Sequence, residues 1–257
     1  MQVRYVRGAA ALLVCGALAV AAAGCGTSPA SESESESPQS AAPAPAPYTG
    51  VAELPEALGP DGTTIEVGDP QAKMVVHVYE DPRCPVVADF EATGARAIRA
   101  QTVGRQVRTE YTLASFKDVR LGGDGSRRAV NALRAALDAQ RFTEYHAVLV
   151  ESQEEVEASG GYTTERLLNL AARVPGLRSE TFDAAVSTMK YRDFVIISQA
   201  AYQQTGDDPI GPGTPSVTID AKMVTEKIYG SLFEEDLTAA LLTTVRRNPT
   251  AWQLYRS

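Results

Sequence analysis

The chain has 257 residues, with 24 Lys and Arg against 32 Asp and Glu and a formal charge of −8. An acidic balance disfavours nucleic acid and direct adhesion to anionic lipid as partners. Of three cysteines, Cys15 and Cys25 lie at the extreme N-terminus and Cys84 stands alone in the remainder, so the folded part has no pair for an internal disulfide.

In chain order, Arg4 and Arg7 precede an apolar, alanine-rich stretch over residues 8–23 that is too short for a permanent membrane span, and residues 1–24 read as a secretory signal. The run Ala22-Ala23-Gly24-Cys25 resembles a bacterial lipobox. That likeness implies cleavage before Cys25, lipidation of its sulfur, loss of Cys15 with the signal, and a mature protein anchored to the cell membrane on its extracytoplasmic side. Residues 25–50 follow as a Ser/Glu-rich and then Ala-Pro-rich segment that cannot bury apolar area, and they read as a disordered tether. About 23 residues of such chain have a root-mean-square reach of roughly 25–30 Å.

Residues 51–257 form the expected folded domain. Strands are predicted over 63–67, 72–79, 105–113, 216–219 and 223–229 from their β-branched content and short length. A helix is predicted from 86 to about 103. The segment from about 120 to 205 is helical in pattern, interrupted at Gly160-Gly161 and Pro175-Gly176. Gly122-Gly123-Asp124-Gly125 reads as a flexible connection leading into it. A last helix opens with Ser231-Leu232-Phe233-Glu234, which has the spacing of a capping box, and ends near Arg247 before Pro249.

Two segments far apart in sequence carry the chemistry. In Tyr79-Glu80-Asp81-Pro82-Arg83-Cys84-Pro85-Val86-Val87, a strand runs into a cysteine at a helix start, and Val87 stands where a Cys-Pro-x-Cys redox motif has its second cysteine. In Gly213-Thr214-Pro215-Ser216-Val217-Thr218-Ile219, a loop enters a strand through an X-Pro bond. With Phe142-Thr143-Glu144-Tyr145-His146-Ala147-Val148-Leu149, these segments make the chain resemble the DsbA-like thioredoxin family over roughly residues 63–247. The resemblance implies an α/β thioredoxin-like fold with a helical insertion. It implies a cis Thr214–Pro215 bond facing the cysteine, and thiol-disulfide chemistry on secreted or cell-envelope proteins or small thiols. Val87 departs from the pattern, and a dithiol cycle needs both sulfurs.

Cys84 is therefore the candidate nucleophile, with Arg83, Pro85, Val86, Val87, Thr214 and Pro215 as its surroundings. Backbone amides and the dipole at a helix N-terminus favour a thiolate, and Arg83 would add to that push, whereas Val86 and Val87 donate nothing and desolvate the sulfur. The sequence leaves that balance open. It also leaves open two functions: a monothiol that exchanges disulfides, or a redox-inactive module binding extended segments at the Pro215 edge. Neither His77 nor His146 has a second ligand-type residue at a metal spacing, and both read as structural. Glu80 and Asp81 could relay protons but read more simply as a solvated strand end. No cofactor and no metal is expected.

Overall fold

The computed structural model describes residues 45–255. The expected signal, the Cys25 lipidation site, Cys15 and most of the tether lie outside the described residues. Six strands form one sheet in the order β1-β2-β4-β3-β5-β6, where β1 is Glu56–Leu58, β2 Ile65–Val67, β3 Met74–Glu80, β4 Val107–Leu113, β5 Ser216–Ile219 and β6 Lys222–Met223. β3 and β4 pair in parallel from Met74–Val107 to Glu80–Leu113, and β5 runs antiparallel on the other side of β3 with Tyr79 opposite Ser216. The β3 end that leads to Cys84 and the β5 start that follows Pro215 are thereby brought side by side.

β3 alternates strictly, with Met74, Val76, Val78 and Glu80 buried and Val75, His77 and Tyr79 half-buried on the other face. The segment predicted as one helix from 86 to 103 is two, α1 (Pro85–Ala92) and α2 (Ala95–Val103). They break at Gly94, where a Cβ would lie 1.9 Å from the carbonyl oxygen of Leu232, so close backbone approach requires glycine. α2 packs on β4 through a buried hydroxyl pair, Thr102 Oγ1 to Thr109 Oγ1 at 2.8 Å.

Between β4 and β5 the chain is helical: α3 (Lys117–Leu121), α4 (Gly125–Asp138), α5 (Phe142–Glu151), α6 (Gln153–Ala158), α7 (Thr164–Ala171), α8 (Glu180–Ser187) and α9 (Arg192–Gln203). α4 is its hub, burying Ala129, Val130, Leu133, Ala136 and Leu137 on the stripe expected from a 3.6-residue period. Thr163 and Ser179 cap α7 and α8 by accepting from the N–H of Arg166 and Phe182. α9 is latched to the end of β4, where Ser198 Oγ donates to the Leu113 carbonyl and accepts from its N–H. Among the described residues no helix is long and apolar enough to cross a membrane.

Three local expectations need correction. The strand predicted over 223–229 stops at Met223, because Asp220 and Ala221 turn tightly at positive φ and Thr225 starts a short helix, α10 (Glu226–Tyr229). The capping box does not form: Gly230–Phe233 is a 3-10 turn, Ser231 Oγ donates to the Ile228 carbonyl, and α11 (Glu235–Arg247) begins after Glu234. Packing of buried Leu232 over Gly94 sets this segment, overriding the local signal. The tether expected through residue 50 meets the domain earlier, since Arg105 bonds the Ala46 carbonyl and stacks 3.7 Å from the Tyr48 ring centroid. Strand β1 carries no signal that the sequence reading used.

Candidate active site

β3 ends at Glu80, and a short loop delivers Cys84 to the N-cap of α1, with Pro85 at the first helical position where its missing N–H costs nothing. The N–H groups of Val87 and Ala88 bond the Cys84 carbonyl at 3.0 and 3.3 Å. Cys84 is 2% exposed. Its Sγ donates to the Thr214 carbonyl oxygen at 3.3 Å, across 130 residues of sequence, and the Thr214–Pro215 peptide is cis. Val87 is buried one turn beneath Cys84, while Val86 is 40% exposed at the mouth of the site. Cys84 is the one cysteine among the described residues.

Two tyrosines hold the proline loop. Tyr202 Oη accepts from the Gly213 N–H at 3.0 Å, and its ring lies so close to Gly211 that a Cβ there would meet it at 2.3 Å with φ at +98°. Tyr229 Oη donates to the Pro215 carbonyl at 2.9 Å. Burial pushes Tyr202 up to about 12 and Tyr229 upward as well, with the Cys84 charge a lesser cause in both, so each keeps its proton.

Beneath the cysteine the structure corrects three expectations. Glu80 and Asp81 do not form a solvated strand end; they are 1% and 0% exposed. Asp81 accepts from the N–H groups of Arg83 and Lys117 and from Ser126 Oγ, and burial pushes it up to about 6 against these donors. Arg83 does not serve the thiol, because its guanidinium is committed elsewhere: a bidentate pair with Glu157 at 2.9 Å, Asp118 at 2.9 Å and the Gly122 carbonyl at 2.9 Å. The Gly122 to Gly125 connection is therefore clamped, and Gly125 already belongs to α4. Gln153 Nε2 donates to the Arg83 carbonyl, completing a rivet of the loop to α3, α4 and α6.

Further inside, β3, α1 and α5 bring together Glu80, Glu91 and His146, all buried, with one ligand-type atom from each within 4.8 Å of the others. His146 Nε2 lies 2.5 Å from Glu80 Oε1, and Arg99 pairs with Glu91 Oε2 and with its backbone carbonyl. Burial pulls His146 down but the Glu80 and Glu91 carboxylates outweigh it and hold it above the usual imidazole range; burial pushes Glu91 up. Sequence reading misses this cluster. Glu80 is recoverable from its inward parity with Val76 and Val78, and His146 from its place among buried Phe142, Tyr145 and Leu149. Glu91 and Arg99 carry no such signal, since Gly94 breaks the helix between them. On the opposite sheet face His77 bonds Thr112 Oγ1 at 2.8 Å and Glu110 at 3.2 Å.

A sheet with β3 leading to a cysteine at a helix start, a cis-proline facing it, and helices inserted before that proline's strand together define a DsbA-like thioredoxin fold. The thioredoxin family profile matches residues 61–239, and the chain belongs to that family. Solved structures agree on the fold. The thiol-disulfide oxidoreductase MdbA from Corynebacterium diphtheriae superposes with a TM-score of 0.57 at 19% identity, over 72% of this chain and 94% of its own. BdbD from Bacillus subtilis in its oxidised form gives 0.58 at 18% identity, over 71% and 92%. DsbG from Mycobacterium tuberculosis in its reduced form gives 0.53 at 21%, over 76% and 96%. No curated protein matches the chain by sequence.

Proposed function

We propose that this protein is a membrane-tethered, extracytoplasmic monothiol that exchanges disulfides through Cys84 and cannot hold one internally. The observation that carries the reading is the pairing of a retained Cys84, seated at a helix N-cap against Thr214 and cis Pro215, with Val87 one turn below it. The thiol-disulfide oxidoreductases of the same fold supply the reaction class. The Cys84 thiolate, having lost its proton to solvent, attacks one sulfur of an external disulfide. A bond forms between Sγ and that sulfur, and the other sulfur leaves as a thiolate. A second external thiolate then attacks the substrate sulfur of the mixed disulfide and releases Cys84. Each cycle exchanges partners with no net oxidation. Secreted or cell-envelope proteins and small thiols are the substrates that fit an extracytoplasmic site, and the signal and Cys25 anchor are expectations from the sequence.

One observation favours the second reading, a redox-inactive module that binds extended segments at the Pro215 edge. The sulfur is covered and bonded to the Thr214 carbonyl, the group an extended peptide would use for pairing, so a bound segment would meet backbone before sulfur. Formation of a mixed disulfide at Cys84 of the folded chain separates the readings, and oxidation of a reduced model protein without added small thiol tests the absence of a dithiol cycle that both share. The native chain is expected to show no catalysis, Val87→Cys to acquire it, and native catalysis would contradict the monothiol.

A further inference from the structure

The buried cluster of Glu80, Glu91 and His146 leaves two polar atoms unaccounted for. Glu80 Oε2 and Glu91 Oε1 are both shielded from solvent, and neither has a hydrogen-bond partner, although the other oxygen of each carboxylate is engaged. A buried carboxylate oxygen without a partner is costly, and two beside one imidazole favour a shared positive centre. An ion held among the three side chains would satisfy both.

We propose that Glu80, Glu91 and His146 form a binding site for a divalent transition-metal ion of the zinc class. Two carboxylates and one imidazole are the donor set that suits such an ion, whereas calcium prefers six to eight oxygen ligands, which three side chains with an imidazole among them do not provide. The three ligand-type atoms already lie within 4.8 Å of one another. His146 Nε2 and Glu80 Oε1, now 2.5 Å apart, separate to roughly 3.4 Å to take adjacent positions around a tetrahedral ion with bonds of about 2.1 Å. The imidazole gives any proton on Nε2 to solvent as the metal bond forms. Arg99, bonded to Glu91 Oε2 and to the Glu91 carbonyl, orients that carboxylate from outside, as an outer partner of a ligand should. On the solvent side of the cluster, Glu91 and Arg99 line an open pocket of about 590 Å³ together with Ala88, Ala92, Ala147 and Glu151. An ion held there ties β3 and α5 to α1, the helix that carries Cys84 at its start, and its presence is independent of whether Cys84 turns over.

The test uses the full-length chain, stripped with a chelator and titrated with Zn²⁺ against a chromogenic competitor, followed by zinc X-ray absorption on the loaded protein. The expected result is one zinc per chain, with oxygen and imidazole nitrogen but no sulfur in its shell, and Glu91→Gln and His146→Gln each weakening binding at least about tenfold. Because those variants could fail to fold, the absorption spectrum of the native chain decides on its own. A shell containing sulfur would move the ion to Cys84 or Cys25 and overturn the site. So would the absence of stoichiometric zinc, which would leave a shared proton as the occupant, or unchanged affinity in both folded variants.

Discussion

The mouth of the site and the tier beneath it are built very differently. At the mouth, the proposed chemistry rests on four residues, Cys84, Val87, Thr214 and Pro215, and one of them is an apolar side chain where a second sulfur would complete a dithiol. In the tier below, Asp81, Arg83, Asp118, Ser126 and Glu157 form a dense set of directional bonds that fix the loop. Chemistry that depends on one side chain is removed by one substitution, while a scaffold built on many bonds outlasts it. On the proposed reading, the contrast makes dithiol function turn on a single position, Val87.

Restoring the sulfur is the largest test of that contrast. Val87→Cys should convert a chain with no internal disulfide into one that forms the 84–87 bond on air oxidation, read by intact mass and by loss of free thiol. At most about 1 kcal/mol of stability should be lost, since valine and cysteine are of similar size and apolar character. A variant that folds but never closes the bond would mean that the mouth has drifted as well.

Breaking the tier comes next. Arg83→Met leaves buried Asp118 with only Arg127, 3.7 Å away, and its backbone donors, and it frees Glu157; the expected cost is about 3 kcal/mol in urea unfolding, the lower end of the range for removing one partner of a buried ion pair. A loss below about 1 kcal/mol would show that the rivet is ornamental.

The acid-base behaviour of the same tier has a definite sign. Asp81 sits at about 6 in the folded protein against an ordinary value of 3.8, so the folded state holds its proton more tightly than the unfolded state does. That contribution to stability is fully present below about pH 4 and is lost as pH rises through 6, by about 3 kcal/mol over two units. In Asp81→Asn the pH slope between 4 and 6, measured relative to the native chain, should lose this component.

Much of the mouth is legible in the sequence. The run of β3 into Cys84, the helical segment between β4 and β5 and the Gly-Thr-Pro entry to β5 are local patterns, and local patterns are what a sequence displays. The tier is not legible in the same way, because its partners are long-range: Arg83 meets Glu157 across 74 residues, and Glu80 meets His146 across 66. Charged residues near a strand end read as solvated until packing shows them covered. The Ser231 capping box fails for the converse reason, a sound local signal overruled by Leu232 closing over Gly94.

The smallest effect belongs to the tyrosine that holds the proline loop. Tyr202→Phe removes the acceptor for the Gly213 N–H, which should cost about 1 kcal/mol and raise the hydrogen-exchange rate of that amide while leaving β3 unchanged.

The monothiol assignment is tested most directly by incubating the native chain with glutathione disulfide and mapping the product by mass spectrometry. One glutathionyl group on Cys84, formed under native conditions and released by excess thiol, is the expected result. A Cys84 that stays unmodified while folded and is modified only in denaturant would contradict it, and would make the Pro215 edge a binding surface over an inert sulfur.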